Sequence, residues 1–280
     1  MTGRTVWLAS YPKSGNTWLR AVFTAWLTPG PVDVNRLVGN VIAGSRVAFD
    51  SALGIPSSSL TPDEIDSLRP RADEVLAADA DPTTPYVRKV HDALFHGPGG
   101  EPIVSVAATR AALYVVRDPR AVAVSYAHQT GGDVDAIVRR LGDPDAAVAA
   151  GTTRLDEQLR QRLGTWSQHV RSWLDHAPFD VEAVRYEDLA AAPVETCVRA
   201  LRFAGFGLVD ETRVVDALER AAFDRLRRAE GDTGFRERLP GVAQFFRRGE
   251  ADAWREELPG ELAERIRQDH GEVMARFGYH

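Results

Sequence analysis

The chain has 280 residues, 44% hydrophobic and 26% charged, a globular composition long enough to bury one full core, so residues 1–280 are expected to form a single domain. A formal net charge of −6 argues against nucleic-acid or anionic-membrane partners, which are normally met by a broad positive field, so a bound anion must be held locally. The lone cysteine, Cys197, excludes an intramolecular disulfide and a cysteine-based zinc cluster. No stretch approaches the roughly eighteen apolar residues of a membrane span, and the apolar N-terminal run is too short for a signal sequence; a soluble, cytoplasmic protein is expected.

In chain order, "RTVWLAS" reads as a buried strand, "YPKSGN" as a turn and "TWLRAVFTAWL" as a helix carrying Trp18, Val22, Ala25 and Trp26 on one stripe. Residues 29–60 are rich in Pro, Gly and Ser and read as irregular. Thr61, Pro62 and Glu64 then open a helix. "TPYVRKV" gives a second strand ending at Lys89 to His91, and "AALYVV" a third that leads into Arg117 and a helix capped by Asp118 and Pro119. Residues 133–176 read as largely helical and polar, "DVEAVRYEDL" as strand plus turn, and "AAPVETCVRALRFAGF" as a helix between Pro193 and Gly205. The last hundred residues read as helical apart from a loop around 231–250. Strands alternating with helices predict an α/β layer sandwich on a parallel sheet. Ligands bind such sheets beyond the carboxyl ends of the strands, where "SYPKSGN", "KVHD", "VRDPR" and "RYEDL" are expected to meet.

Of 34 basic residues only Lys13 and Lys89 are lysines. A bias that writes arginine for every generic positive charge leaves lysine where a compact ammonium is needed, since the two groups are not interchangeable at tight sites. Lys13 lies in a strand–turn–helix whose backbone N–H groups can converge on an anion. The turn is no Walker A loop, because Lys13 precedes Gly15 and no first glycine is supplied. This argues against a small-molecule kinase of the P-loop superfamily.

"YPKSGNTW" resembles the 5′-phosphosulfate loop of the sulfotransferases that use 3′-phosphoadenosine 5′-phosphosulfate (PAPS), with Asn16 in place of a threonine. "VRDPRAVAVS" resembles that family's 3′-phosphate segment, with Arg117 and Ser125 in register. "RYEDL" is similar to its Tyr-Glu-Asp stretch, "AAFDRL" places Phe223 where the family sets a phenylalanine against the base, and "FFRRGEADAW" resembles its Arg-Lys-Gly-x-x-Gly-Asp-Trp segment. Arg248 replaces Lys there, Asp252 and Ala253 replace Gly-Asp, and Ala221 and Ala222 replace hydroxyl residues of the animal enzymes.

The resemblance implies a three-layer sandwich with a central parallel sheet, the P-loop NTPase-like sulfotransferase fold, in a single sulfotransferase domain. It implies donor binding by Lys13, Ser14, Gly15, Asn16, Thr17, Trp18, Arg117, Ser125, Tyr186, Phe223, Arg247, Arg248 and Gly249. His91, in Lys89-Val90-His91, matches the catalytic histidine and would take the acceptor proton. Lys13 would stabilise the departing phosphate and Lys89 would add charge at the sulfuryl group. The implied reaction is O-sulfuryl transfer from PAPS to a small-molecule hydroxyl acceptor, releasing adenosine 3′,5′-bisphosphate, without metal. The variable stretches 29–84 and 131–176, where the acceptor pocket is expected, look more like bacterial members. A nucleotide-binding protein that kept the cradle and lost turnover is the non-enzymatic alternative. Acceptor identity and oligomeric state stay open.

Overall fold

The computed structural model describes residues 3–151 and 155–280. Strand β1 (Thr5–Ala9) leads to α1 (Asn16–Leu27), α2 (Arg46–Leu53), α3 (Pro62–Asp79), β2 (Tyr86–Val90), β3 (Thr109–Val116), α4 (Pro119–Thr130) and α5 (Val134–Leu141). The short strands β4 (Ala147–Val148) and β5 (Gln161–Arg162) follow, then α6 (Trp166–Leu174), β6 (Val181–Arg185), α7 (Tyr186–Ala191) and α8 (Pro193–Ala204). The chain ends with α9 (Glu211–Arg220), α10 (Phe223–Thr233), α11 (Trp254–Glu257) and α12 (Gly260–Arg276).

The main sheet has the order β2-β1-β3-β6. Strand β1 pairs in parallel with both β2 and β3, Thr5 to Ala9 lying beside Tyr86 to Val90 on one side. All five residues of β1 are buried, which is why "TVWLA" is nearly all apolar and does not alternate: a central parallel strand is covered on both faces. The expected α/β architecture on a central parallel sheet is present.

The chain forms two compact units, each assembled from three segments: residues 1–11, 39–114 and 144–183 in the first, and 12–38, 115–143 and 184–280 in the second. The first unit carries β1, β2, most of β3, α2, α3 and α6. Helix α3 starts on a capping box between Thr61 and Glu64 with Pro62 in its first turn, as those residue types dictate. Its inner face is charged: Arg69 forks onto Asp92 at 2.6 and 3.0 Å, and Asp73 pairs with the buried Arg88. In the second unit α1 packs on α9, and α4 packs on α5 and α12. Asp118 caps α4 by accepting from the Arg120 N–H, and Gly205 ends α8 in the left-handed conformation.

Three local readings are corrected. The segment 29–60 holds α2, whose only fully buried residue is Phe49, with Ala52 and Leu53 partly buried beside it; a helix of eight residues is too short for that stripe to show a clear period. Among its described residues, the segment 133–176 is helical only in α5 and α6, and β4 pairs antiparallel with β5 between them, each strand being too short to show alternation. Part of that segment, residues 152–154, lies outside the described residues. Tyr186 begins the helix α7 rather than a turn.

Candidate active site

In the second unit, Lys13 (φ 72°) and Gly15 (φ 102°) are left-handed and flank Ser14, which is not. Alternating backbone handedness turns successive N–H groups to one side, the geometry of an anion nest. Lysine rarely adopts this conformation, at a cost of roughly 1 kcal/mol, so the loop holds Lys13 in a strained position. Helix α1 begins directly behind, with Gly15 as N-cap, no side-chain cap and no acidic residue in its first turn. Its N-terminal partial charge is therefore not neutralised by its own first turn. Ser14 is 1% exposed, and among the described residues its Oγ has no hydrogen-bond partner.

Aromatic side chains wall this nest. A Cβ on Gly15 would overlap the Tyr186 ring, and the Trp18 ring meets Tyr186 edge-on at 6.0 Å while its Nε1–H donates to the Ala221 carbonyl. The Tyr186 hydroxyl donates to the Gly249 carbonyl at 2.7 Å. Gly249 is left-handed, and a Cβ there would come within 2.8 Å of the Phe223 ring. The Arg117 guanidinium lies 4.1 Å over the Tyr186 ring and donates to the Glu250 carbonyl at 2.9 Å and the Lys13 carbonyl at 3.4 Å. Its Nε is buried and lacks a partner among the described residues. Burial pushes the Tyr186 hydroxyl pKa up, against the pull of Arg117.

Lys13 Nζ donates to Gln129 Oε1 at 2.7 Å and lies 3.9 Å over the Phe245 ring. Gln129 Nε2 in turn donates to the Glu237 carbonyl. Arg247 pairs with Glu257 at 2.8 Å, Arg248 with Glu256 at 3.2 Å, and His128 with Glu257 at 2.6 Å. Burial raises the Glu257 pKa, but hydrogen bonds from His128 and Arg247 outweigh it and hold the carboxyl below its usual range. Asn16 and Thr17 open α1, and Ser125 sits half-buried in α4, one helical turn before Gln129. That spacing is the signal by which Gln129 could have been found; Phe245 and Glu257 carry none.

The first unit holds the other expected residues. His91 follows the last residue of β2, and its Nδ1 lies 2.8 Å from the Ser10 carbonyl oxygen, with Ser10 Oγ at 3.2 Å. A carbonyl only accepts, so Nδ1 carries the proton and Nε2 is the basic nitrogen. The His91 carbonyl accepts from His169 Nε2 at 3.0 Å, and His169 Nδ1 is 2.8 Å from the Tyr114 hydroxyl. His169 is fully buried, which pulls its pKa down to about 4. The next residue is clamped as well: the Asp92 carbonyl accepts from Trp173 Nε1, and its carboxylate accepts from the Arg162 N–H besides Arg69. Lys89 is 9% exposed in β2, two positions before His91 and so on the same strand face. Ser10, Asp92, Tyr114 and His169 escape sequence reasoning because their role is made by contacts across long sequence separations.

The chain is similar to cytosolic sulfotransferase 16 of Arabidopsis thaliana, 25% identical over 92% of this chain and 72% of that protein. Among solved structures, retinol dehydratase in complex with androsterone and the inactive cofactor PAP is similar at TM-score 0.58 and 18% identity, over 98% of this chain and 81% of the other. Mouse sulfotransferase SULT7A1 complexed with PAP is similar at TM-score 0.58 and 17% identity, over 97% of this chain and 85% of the other. The family model described as the sulfotransferase domain matches residues 104–278. That span takes in Arg117, Ser125, Tyr186, Phe223 and Arg247 to Gly249, leaves Lys13 to Trp18, Lys89 and His91 outside it, and covers well over half of the chain, which belongs to the sulfotransferase family.

Proposed function

We propose that the chain is a PAPS-dependent O-sulfotransferase that sulfates a hydroxyl of a small-molecule acceptor and releases adenosine 3′,5′-bisphosphate. The observation that carries this reading is the nest at Lys13–Gly15, backed by a helix N-terminus and by a buried Ser14 Oγ that lacks a partner among the described residues. These residues fit the 5′ end of the donor: convergent N–H groups, a hydroxyl and an ammonium suit a doubly anionic phosphosulfate. The orphaned Arg117 Nε and the Trp18, Tyr186 and Phe223 rings suit a phosphorylated nucleoside. Solved relatives of the same fold hold PAP, one together with androsterone, which supports a nucleotide product and a small-molecule acceptor.

PAPS supplies the sulfuryl group, its sulfur–oxygen bond to phosphate breaking as the acceptor oxygen bonds to sulfur. His91 Nε2 takes the acceptor proton. The Ser10 carbonyl keeps Nδ1 protonated and so keeps Nε2 basic. Lys13 offsets charge on the departing phosphate oxygen, Lys89 adds positive charge at the sulfuryl group, and the amides of Ser14 to Thr17 hold the 5′ phosphate. Asn16 and Thr17 bind there, Arg117, Ser125, Arg247, Arg248 and Gly249 at the 3′ phosphate, and Trp18, Tyr186 and Phe223 at the base. No metal takes part in these roles. The family match draws on segments of both units, which supports one sulfotransferase domain. The arginine-for-lysine bias supports a bacterial setting, and the likeness to a cytosolic sulfotransferase supports a cytoplasmic one.

Radiolabelled PAPS incubated with a panel of phenols and alcohols is expected to yield labelled sulfate ester in the wild type. In His91→Ala the yield falls roughly 10²–10⁴-fold while adenosine 3′,5′-bisphosphate still binds. Full turnover in folded His91→Ala would refute the assignment of the base, and magnesium-dependent ATP consumption would replace the reading with a kinase.

A further inference from the structure

We propose that His169 is a positioning residue for this reaction: through Tyr114 it ties the His91 peptide to the Ser10–Tyr11 segment that also holds the His91 ring. The inference rests on the reading of His91 as the base. Ser10 accepts from His91 Nδ1 through its carbonyl. The next residue, Tyr11, donates its backbone N–H to the Tyr114 hydroxyl. That hydroxyl meets His169 Nδ1 at 2.8 Å, and His169 Nε2 meets the His91 carbonyl at 3.0 Å. The circuit closes on His91, whose ring and backbone are thus fixed against two consecutive residues.

Its direction follows from the ends. The His91 carbonyl has no proton to give, so His169 Nε2 donates; a neutral imidazole has one N–H, so Nδ1 accepts and Tyr114 donates. Tyr114 and His169 are both fully buried, where an imidazole with a misdirected lone pair is costly. Tyr114 therefore selects the tautomer of His169 that can hold the His91 carbonyl. An apolar side chain at 169 would fill the space without reading the tautomer. Trp173 and Arg69 brace Asp92 and cannot substitute, because neither touches the His91 peptide oxygen.

The test reads histidine tautomers by nitrogen-15 NMR at about pH 7, and turnover with PAPS and 2-naphthol. Wild type is expected to show His91 as the Nδ1–H form and His169 as the Nε2–H form. His169→Asn, which loses the donor to the His91 carbonyl, mixes the His91 tautomers and lowers kcat roughly 10–100-fold, the scale of outer partners that orient a functional imidazole. His169→Gln keeps the donor and restores both readouts. Tyr114→Phe mixes the His91 tautomers in the wild-type background and has little effect on top of His169→Gln, whose amide always has an N–H to give. An Nδ1–H form of His169 in wild type overturns the proposal whatever the variants do. So does a folded His169→Asn with the wild-type His91 signature. If His91→Ala proves active the base reading fails; if it is dead while His169→Asn turns over normally, only this inference does.

Discussion

Lys13 shows how one side chain can carry several constraints. Its backbone is left-handed, its ammonium lies over Phe245 and its Nζ bonds Gln129. A guanidinium is longer, planar and forked, so it cannot take the place of a point charge held against a ring. Lys13→Arg is therefore expected to lose turnover nearly as fully as Lys13→Met, roughly 100-fold, in a labelled-sulfate assay; wild-type rates in Lys13→Arg would show that charge alone suffices. Gly15→Ala forces a Cβ into Tyr186 at φ 102°, and affinity for adenosine 3′,5′-bisphosphate measured by calorimetry is expected to fall at least about fivefold, since such backbone strain alone costs about 1 kcal/mol or more. Glu257 occupies the Arg247 guanidinium that the 3′ phosphate would use. Glu257→Gln is expected to tighten that nucleotide by a few-fold, the scale of one partly exposed ion pair. Unchanged or weaker binding would mean that Glu257 orients Arg247 instead.

At the level of elements, what was legible depended on how local the cause was. Strand β1, the loop after it and α1 are contiguous, so apolar burial, turn chemistry and helix periodicity all fall within one short window. Asp118-Pro119 announced α4 and Pro193 with Gly205 bounded α8 because caps are written next to the elements they cap. Helix α2 and the β4–β5 ladder were illegible, being short and held mainly by distant partners, as when Arg46 reaches the Asp156 carbonyl. The charged inner face of α3 was equally hidden, because Arg69 acquires meaning only beside Asp92. Helix α12 makes a separate prediction through His270, 3% exposed, whose burial lowers its pKa to about 4. An imidazole that binds its proton near 6.5 when unfolded and near 4 when folded stabilises the fold fully above the unfolded value. That stabilisation is lost as pH falls from 6.5 towards 4. Asp66 and Asp73, whose carboxyls burial pushes up, act in the opposite direction, so the comparison is made against His270→Gln. Between pH 7 and 5 the wild type is expected to lose about 2 kcal/mol more than the variant in denaturant titrations. Equal losses would mean His270 is protonated in the fold.

For the whole molecule, a net charge of −6 means that the anionic donor of the proposed reaction has to be held by a few placed groups. The fold class was legible from alternating strands and helices, and the family from motifs that stay in order along the chain. The division into two units was not, because each gathers three separated segments and no composition shift marks their limits. The measurement closest to the central claim is a thermal-shift titration of the full chain with adenosine 3′,5′-bisphosphate against ATP, each with and without magnesium. A metal-independent rise in Tm with the bisphosphate, reduced in Gly15→Ala and absent with ATP, is the predicted result. Stabilisation by magnesium-ATP with no response to the bisphosphate would contradict it.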